Sequence, residues 1–142
     1  MSQENVELVQ SFFAAFARRD LDAAASLLHP EVEIRPALVG GPEGTVYRGL
    51  DGSRRFWADI DAAWTTFRID PQEFRDLGER VLVLGRAIAL APASGMALDE
   101  ASAWLAEVRE RKIVRFRSFT NQREALEAAG LRESDAGHEA SP

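Results

Sequence analysis

A chain of 142 residues that is 46% apolar can bury a core of its own as one domain, and the absence of cysteine excludes disulfides, thiolate nucleophiles and cysteine-ligated metal centres. A formal charge of −6 argues against broad binding to nucleic acid or to an anionic membrane, both of which need a basic footprint. The two histidines are His29 and His138, so a metal site would have to combine His29 with carboxylates, and neither a metal nor a cofactor is expected.

Along the chain, Ser2, Glu4 and Glu7 open a helix whose Val6, Val9, Phe13 and Phe16 recur at helical spacing, predicting helix one over about 3–18. Asp20 can cap a short second helix with Leu21, Ala24, Leu27 and Leu28 as its stripe, ending where His29 meets Pro30. There the helix dipole would favour an imidazolium on His29. Val32 to Arg35 alternates like a strand and stops at Pro36, and ALVGGPEGTVYRG then reads as a long loop containing Tyr47. From about Leu50 to Phe67 the spacing of Phe56, Ile60, Ala63 and Phe67 predicts helix three, with Trp57 and Trp64 on one face. Four strands follow as an antiparallel meander over FRIDPQEFRDL, RVLVLGRAIAL, ALDEASAWLAEVR and KIVRFRSF, separated by Gly78, PASG and Glu110–Lys112. Asn121, with Glu124 three residues on, then caps a last short helix that Gly130 stops. Residues 1–131 are expected as a single domain and 132–142 as a disordered tail. No apolar run approaches the roughly 18 residues of a membrane span. The opening MSQENVEL lacks a basic n-region and an apolar h-region, so a cytoplasmic protein is expected.

Helices first and a run of strands after them mean an α+β domain, with helices on one side of a curved antiparallel sheet. This order, together with ENVELVQSFFAAFARRDLDAAASLLHPEVEI, VYRGLDGSRRFW, LGERVLVLGR and KIVRFRSFTNQREALEAAGL, resembles the SnoaL-like group of the nuclear transport factor 2-like superfamily, which has the polyketide cyclase and ketosteroid isomerase fold. The resemblance covers about residues 3–131. It implies a cone-shaped, cystatin-like roll: three N-terminal helices packed in a curved, mainly antiparallel sheet, a short C-terminal helix, and an apolar cavity that takes small hydrophobic ligands. Residues placed in or near such a cup are Phe12, Phe16, Ile34, Tyr47, Trp57, Trp64, Trp104 and Asn121.

The resemblance also says which chemistry is missing. The isomerase branch uses a Tyr where this chain has Phe12, a carboxylate base where it has Ile34 or Arg35, and a second acid near Trp104–Ala106, where there is none. Many SnoaL-type relatives carry an Asp where Asn121 stands. Asn121 cannot act as a Brønsted base, although it could donate to an oxyanion or simply cap a helix. An Asp–Arg–Asp set like that of the epoxide hydrolases of the superfamily cannot be assembled. Alternation puts Trp104, Ala106 and Val108 on one strand face and Leu105, Glu107 and Arg109 on the other, while Arg115 and Arg117 share theirs with Ile113 and Phe119. Glu107 would serve as a general base if it faced a dry cavity, and would form a cross-strand pair with an Arg if it faced outward. The catalytic candidates are therefore Glu107, Tyr47 and Asn121. Three readings follow: a binder of a small hydrophobic molecule, a cyclase, isomerase or hydratase using a cavity carboxylate, and a non-catalytic homodimer joined through the sheet with its cavity filled.

Overall fold

Four helices and six strands follow one another as α1 (Ser2–Arg18), α2 (Leu21–Ser26), β1 (Leu28–Arg35), β2 (Tyr47–Arg48), α3 (Gly49–Ala63), β3 (Thr66–Asp76), β4 (Arg80–Leu90), β5 (Ala97–Arg109), β6 (Lys112–Phe119) and α4 (Gln122–Ala128). This computed structural model describes residues 2–37, 46–90 and 97–131. Most of the loop expected after Pro36, the PASG turn and the tail 132–142 lie outside the described residues. The strands form one curved sheet in the order β2-β1-β6-β5-β4-β3, antiparallel throughout except for the parallel pairing of β1 with β6. The fold is the α+β cone expected, with α1 to α3 on its inner face and α4 on its outer face.

Alternation along the strands decides what each face carries. Val81, Val83, Trp104, Ala106 and Phe116 turn inward against Val9, Phe12, Phe13, Phe56 and Ile60 of the helices. Leu82, Leu84, Ala103 and Phe119 turn outward and are covered by Ala125, Leu126 and Ala129 of α4. Covered on both sides, β4 reads as the unbroken apolar run Val81–Leu84. Asn121 Oδ1 accepts from the backbone N–H groups of Arg123 and Glu124, which starts α4, and Gly130 at φ +80° ends it.

Three expectations are corrected. The second helix stops at Ser26 and β1 begins at Leu28, so His29 lies in a strand and not at a helix C-terminus. Its Nδ1 accepts from Glu31 N–H at 3.0 Å and its Nε2 lies 3.2 Å from Glu110. The third helix stops at Ala63, and Trp64 is its extended C-cap at ψ 135°. Phe67 already belongs to β3, because the β-branched pair Thr65–Thr66 favours strand over helix. Tyr47 and Arg48 form β2 on the edge of β1, with Tyr47 opposite Ile34, where a loop was expected.

Two sheet irregularities follow from local chemistry. A register shift between Pro71 and Glu73 bulges β3, and opposite it Gly85 lets the two backbones close in. A Cβ at Gly85 would stand 2.2 Å from the Asp70 carbonyl oxygen and 2.9 Å from Pro71 Cα. A second shift, between Glu107 and Val108, places Ile113 opposite Val108 on the inner face, so Ile113 does not share the outer face of Arg115 and Arg117 as alternation alone predicts. Gly85→Ala is expected to lower stability by about 2–3 kcal/mol, because backbone, not a flexible side chain, occupies the space. Gly78, at φ +86° with nothing near its Cβ position, should lose only about 1 kcal/mol as Ala. Urea unfolding of both variants tests the ordering, and equal losses would contradict the close approach.

Candidate functional site

Phe12, Phe13 and Phe16 fall on the inner face of α1 because positions three and four apart share a helix face. Their rings build a connected aromatic wall. Phe12 meets Phe116 at 5.2 Å, Phe13 meets Trp104 at 5.6 Å and Phe74 at 6.0 Å, and Phe16 meets Phe67 at 6.1 Å, mostly edge to face. Between these rings and the inner sheet lies a cup that also includes Phe56 of α3, Ile69 and Ala87 of the sheet, and Pro36 and Ala37 after β1. Its polar lining is limited to Ser102 and Ser118 on adjacent strands. Ser102 Oγ donates to the Glu100 carbonyl at 3.2 Å. No Asp, Glu, His, Lys or Arg is among the lining residues. The free space is about 30 Å³, room for about two waters, whereas a benzene-sized guest needs about 150 Å³.

Of the residues singled out in the sequence, the cup brings together Phe12, Phe16 and Trp104. Ile34 is buried in the same core at 1% exposure but does not line the cup. Trp57 packs behind it, 4.8 Å from Phe16, and Arg19 lies over both rings at 5.4 and 5.6 Å while pairing with Asp61. Trp64, beyond the helix end, keeps its indole N–H buried with no hydrogen-bond partner. Asn121 is the cap of α4, and both donors it satisfies are backbone groups of that helix. Glu107 is on the outer face, where its Oε1 accepts from Arg115 at 3.0 Å. Of the two placements open to Glu107, the structure has the cross-strand pair. Phe13, Phe56, Phe67, Phe116 and the two serines complete the cup. The helical spacing of Phe13 and Phe16 and the strand alternation of Ser102 with Trp104 were the available signals for some of them.

Among the described residues no group of three or more His, Cys, Asp or Glu side chains could hold a metal, and no helix is long and apolar enough to cross a membrane. A family model described as a SnoaL-like domain matches residues 9–116. The chain belongs to the SnoaL-like family. Solved structures with the same fold include a nuclear transport factor 2-like protein of unknown function from Burkholderia pseudomallei K96243, 24% identical over 87% of this chain and 95% of that one, at a TM-score of 0.74. TerC, co-crystallised with polyporic acid, is 23% identical over 89% of this chain and 98% of its own, at 0.72. A protein of Jannaschia sp. CCS1 with the provisional name SnoaL-like polyketide cyclase is 18% identical over 89% and 91%, at 0.72. No curated protein matches the chain. At these identities the neighbours speak for the fold.

In this SnoaL-like protein Tyr47 is not in the cup lining. It is 3% exposed, and its hydroxyl donates to Asp59 Oδ2, fastening β2 to α3. Burial first, then the hydrogen bond and negative charge of Asp59, push its pKa from 10.0 up to about 12, with Arg55 pulling the other way. The protonated phenol is thus the form that folding favours. Its contribution to stability is complete below pH 10 and is lost as pH rises through about 12. Because Tyr47 is the only tyrosine, ultraviolet difference absorbance reads it directly, and a midpoint near 12 is expected. Asp59→Asn should lower that midpoint while leaving it above the ordinary value, since burial, the largest cause, remains. A wild-type midpoint at 10 would refute the buried Tyr47–Asp59 contact.

Proposed function

We propose that this SnoaL-like protein binds a small hydrophobic molecule in its cup without turning it over. The observation that carries the reading is the lining: aromatic and aliphatic surface with two serine hydroxyls and no ionisable group. Apolar walls with a few polar anchors are the usual composition of a small-molecule site. Acid–base catalysis of the cyclase, isomerase or hydratase kind needs a carboxylate within reach of the substrate, and Glu107 turns away from the cup towards Arg115. TerC, crystallised with polyporic acid, supports a ligand role for a cup of this fold. With about 30 Å³ free, entry requires rings at the rim to turn aside, and Phe67, only partly buried, is placed to do so.

One observation favours a second reading. The same aromatic rings leave little room, as expected if the cup were simply filled and the protein acted as a homodimer through its outer sheet face.

Naphthalene titrated against intrinsic tryptophan fluorescence separates the two, because Trp104 lines the cup. Saturable one-to-one binding is expected, tighter in Phe67→Ala, which opens the rim, and lost in Ser118→Phe, which fills the cup while circular dichroism stays native. No saturable signal in either the wild type or Phe67→Ala, with a dimer in sedimentation equilibrium, would replace this reading by the filled homodimer.

A further inference from the structure

On the outer face of the sheet a second depression, of about 310 Å³, runs over β1, β6, β5 and β4 beside α4. Four arginines line it, Arg35, Arg80, Arg115 and Arg117, against Glu33 and Glu107, in a chain whose formal charge is −6. Strand register sorts these charges into two rows. In the first, Glu33 lies opposite Arg115, Arg115 opposite Glu107, and Glu107 opposite Arg80, so signs alternate across four strands. This row is self-sufficient: Arg115 is 3.0 Å from Glu107, and Arg80 donates to the Ala128 and Ala129 carbonyls at 3.3 and 3.1 Å. In the second row Arg35 lies directly opposite Arg117, with Leu105 next in line.

Like charges facing each other on paired strands oppose folding, so the second row is not explained by stability. Glu33 does not relieve it. It lies 3.7 Å from Arg35 and is engaged at 2.9 Å by Arg48. Arg117 stacks over Phe119 at 4.6 Å, which holds its guanidinium plane in place, and among the described residues no carboxylate lies within ion-pair distance of it. Two guanidinium forks held side by side in a concave site match the oxygens of a multiply charged anion, which each can bind with paired N–H donors.

We propose that this groove is an anion site for a small molecule carrying adjacent phosphate or carboxylate groups, with Arg35 and Arg117 as its binding residues and Arg80 closing one end. The site is separate from the cup, being on the opposite face of the sheet. Calorimetric titration at low ionic strength with inorganic pyrophosphate and, separately, with citrate tests it. Saturable one-to-one binding of either probe is expected, and the one that binds identifies phosphate or carboxylate as the chemistry recognised. Arg35→Gln and Arg117→Gln should each weaken it about tenfold, the loss expected for one charged hydrogen-bond partner. Both variants should melt no lower than the wild type without anion, because each relieves the facing pair. The proposal is overturned if neither probe binds the wild type beyond a sodium chloride control of equal ionic strength, or if both variants bind as the wild type does. A dimer in sedimentation equilibrium that pyrophosphate and citrate leave intact, with no heat of binding, would overturn it too, and would assign the groove to a second copy of the chain.

Discussion

The sheet can wrap around its helices because two backbones come closer at Gly85 and Pro71 than any side chain would allow. The bulge there turns the far half of β3 inward, and proline, which cannot donate to a ladder, is tolerated because β3 is an edge strand. Phe67, Ile69 and Phe74 thereby reach the helices, and Phe13 touches Phe74, Trp104 and Phe116 at once. An unbent sheet would leave the α1 face half uncovered, and Phe12, Phe13 and Phe16 would expose a contiguous apolar stripe to water.

Strand alternation then divides the molecule chemically. Everything inward from β4, β5 and β6 near the cup is apolar or hydroxylic, and the ionised groups of the same strands are outside, paired across the sheet. For a carboxylate to serve the cup it would have to occupy an inward position and give up its hydration there, a cost that a nearby cation would have to offset. No cation lines the cup. Where the resemblance to the isomerase branch implies polar groups, this chain has Phe12, 3% exposed, and Ile34, 1% exposed, so hydrophobic packing has replaced the acid–base set at those places.

The last three strands were legible because Gly78 and the Glu110–Lys112 turn interrupt a period of two. The turn is a tight one, with Glu110 and Arg111 both at positive φ, and no Asn-Gly pair advertises it. The final helix was legible because Asn121 and Gly130 bracket it. Less could be read where tertiary contacts outvote local pattern. Trp64 and Phe67 continue the spacing of the third helix, yet they serve the C-cap and β3, and only Thr65–Thr66 hints at the change. Pro30 looked like a helix terminator but sits in the irregular part of β1, where the register with β6 slips between Leu28 and Glu33. For the cup, the α1 aromatics and Trp104 could be placed from periodicity. The share of Phe116 and Phe119 could not, because a bulge near Val108 resets which β6 residues face in. The facing arginines were invisible, since nothing local predicts that Arg35 and Arg117 become neighbours across a parallel pair 82 residues apart in sequence.

That parallel pair also governs the order in which the molecule can be made. Residues 33–35 cannot find their hydrogen-bonding partners until residues 115–117 have been synthesised, so β1 and β2 wait as an unpaired ribbon while the meander from β3 to β6 closes through nearby contacts. Through that interval the aromatic face of α1 has no complete wall to rest on, although it is among the first segments to leave the ribosome. A chain stalled before β6 would therefore present both an open strand edge and an apolar helix, the two features that recruit chaperones or seed aggregation. Completion of β6, eight residues near the C-terminal end, ends that exposure by joining the first and last strands of the sheet's chain order.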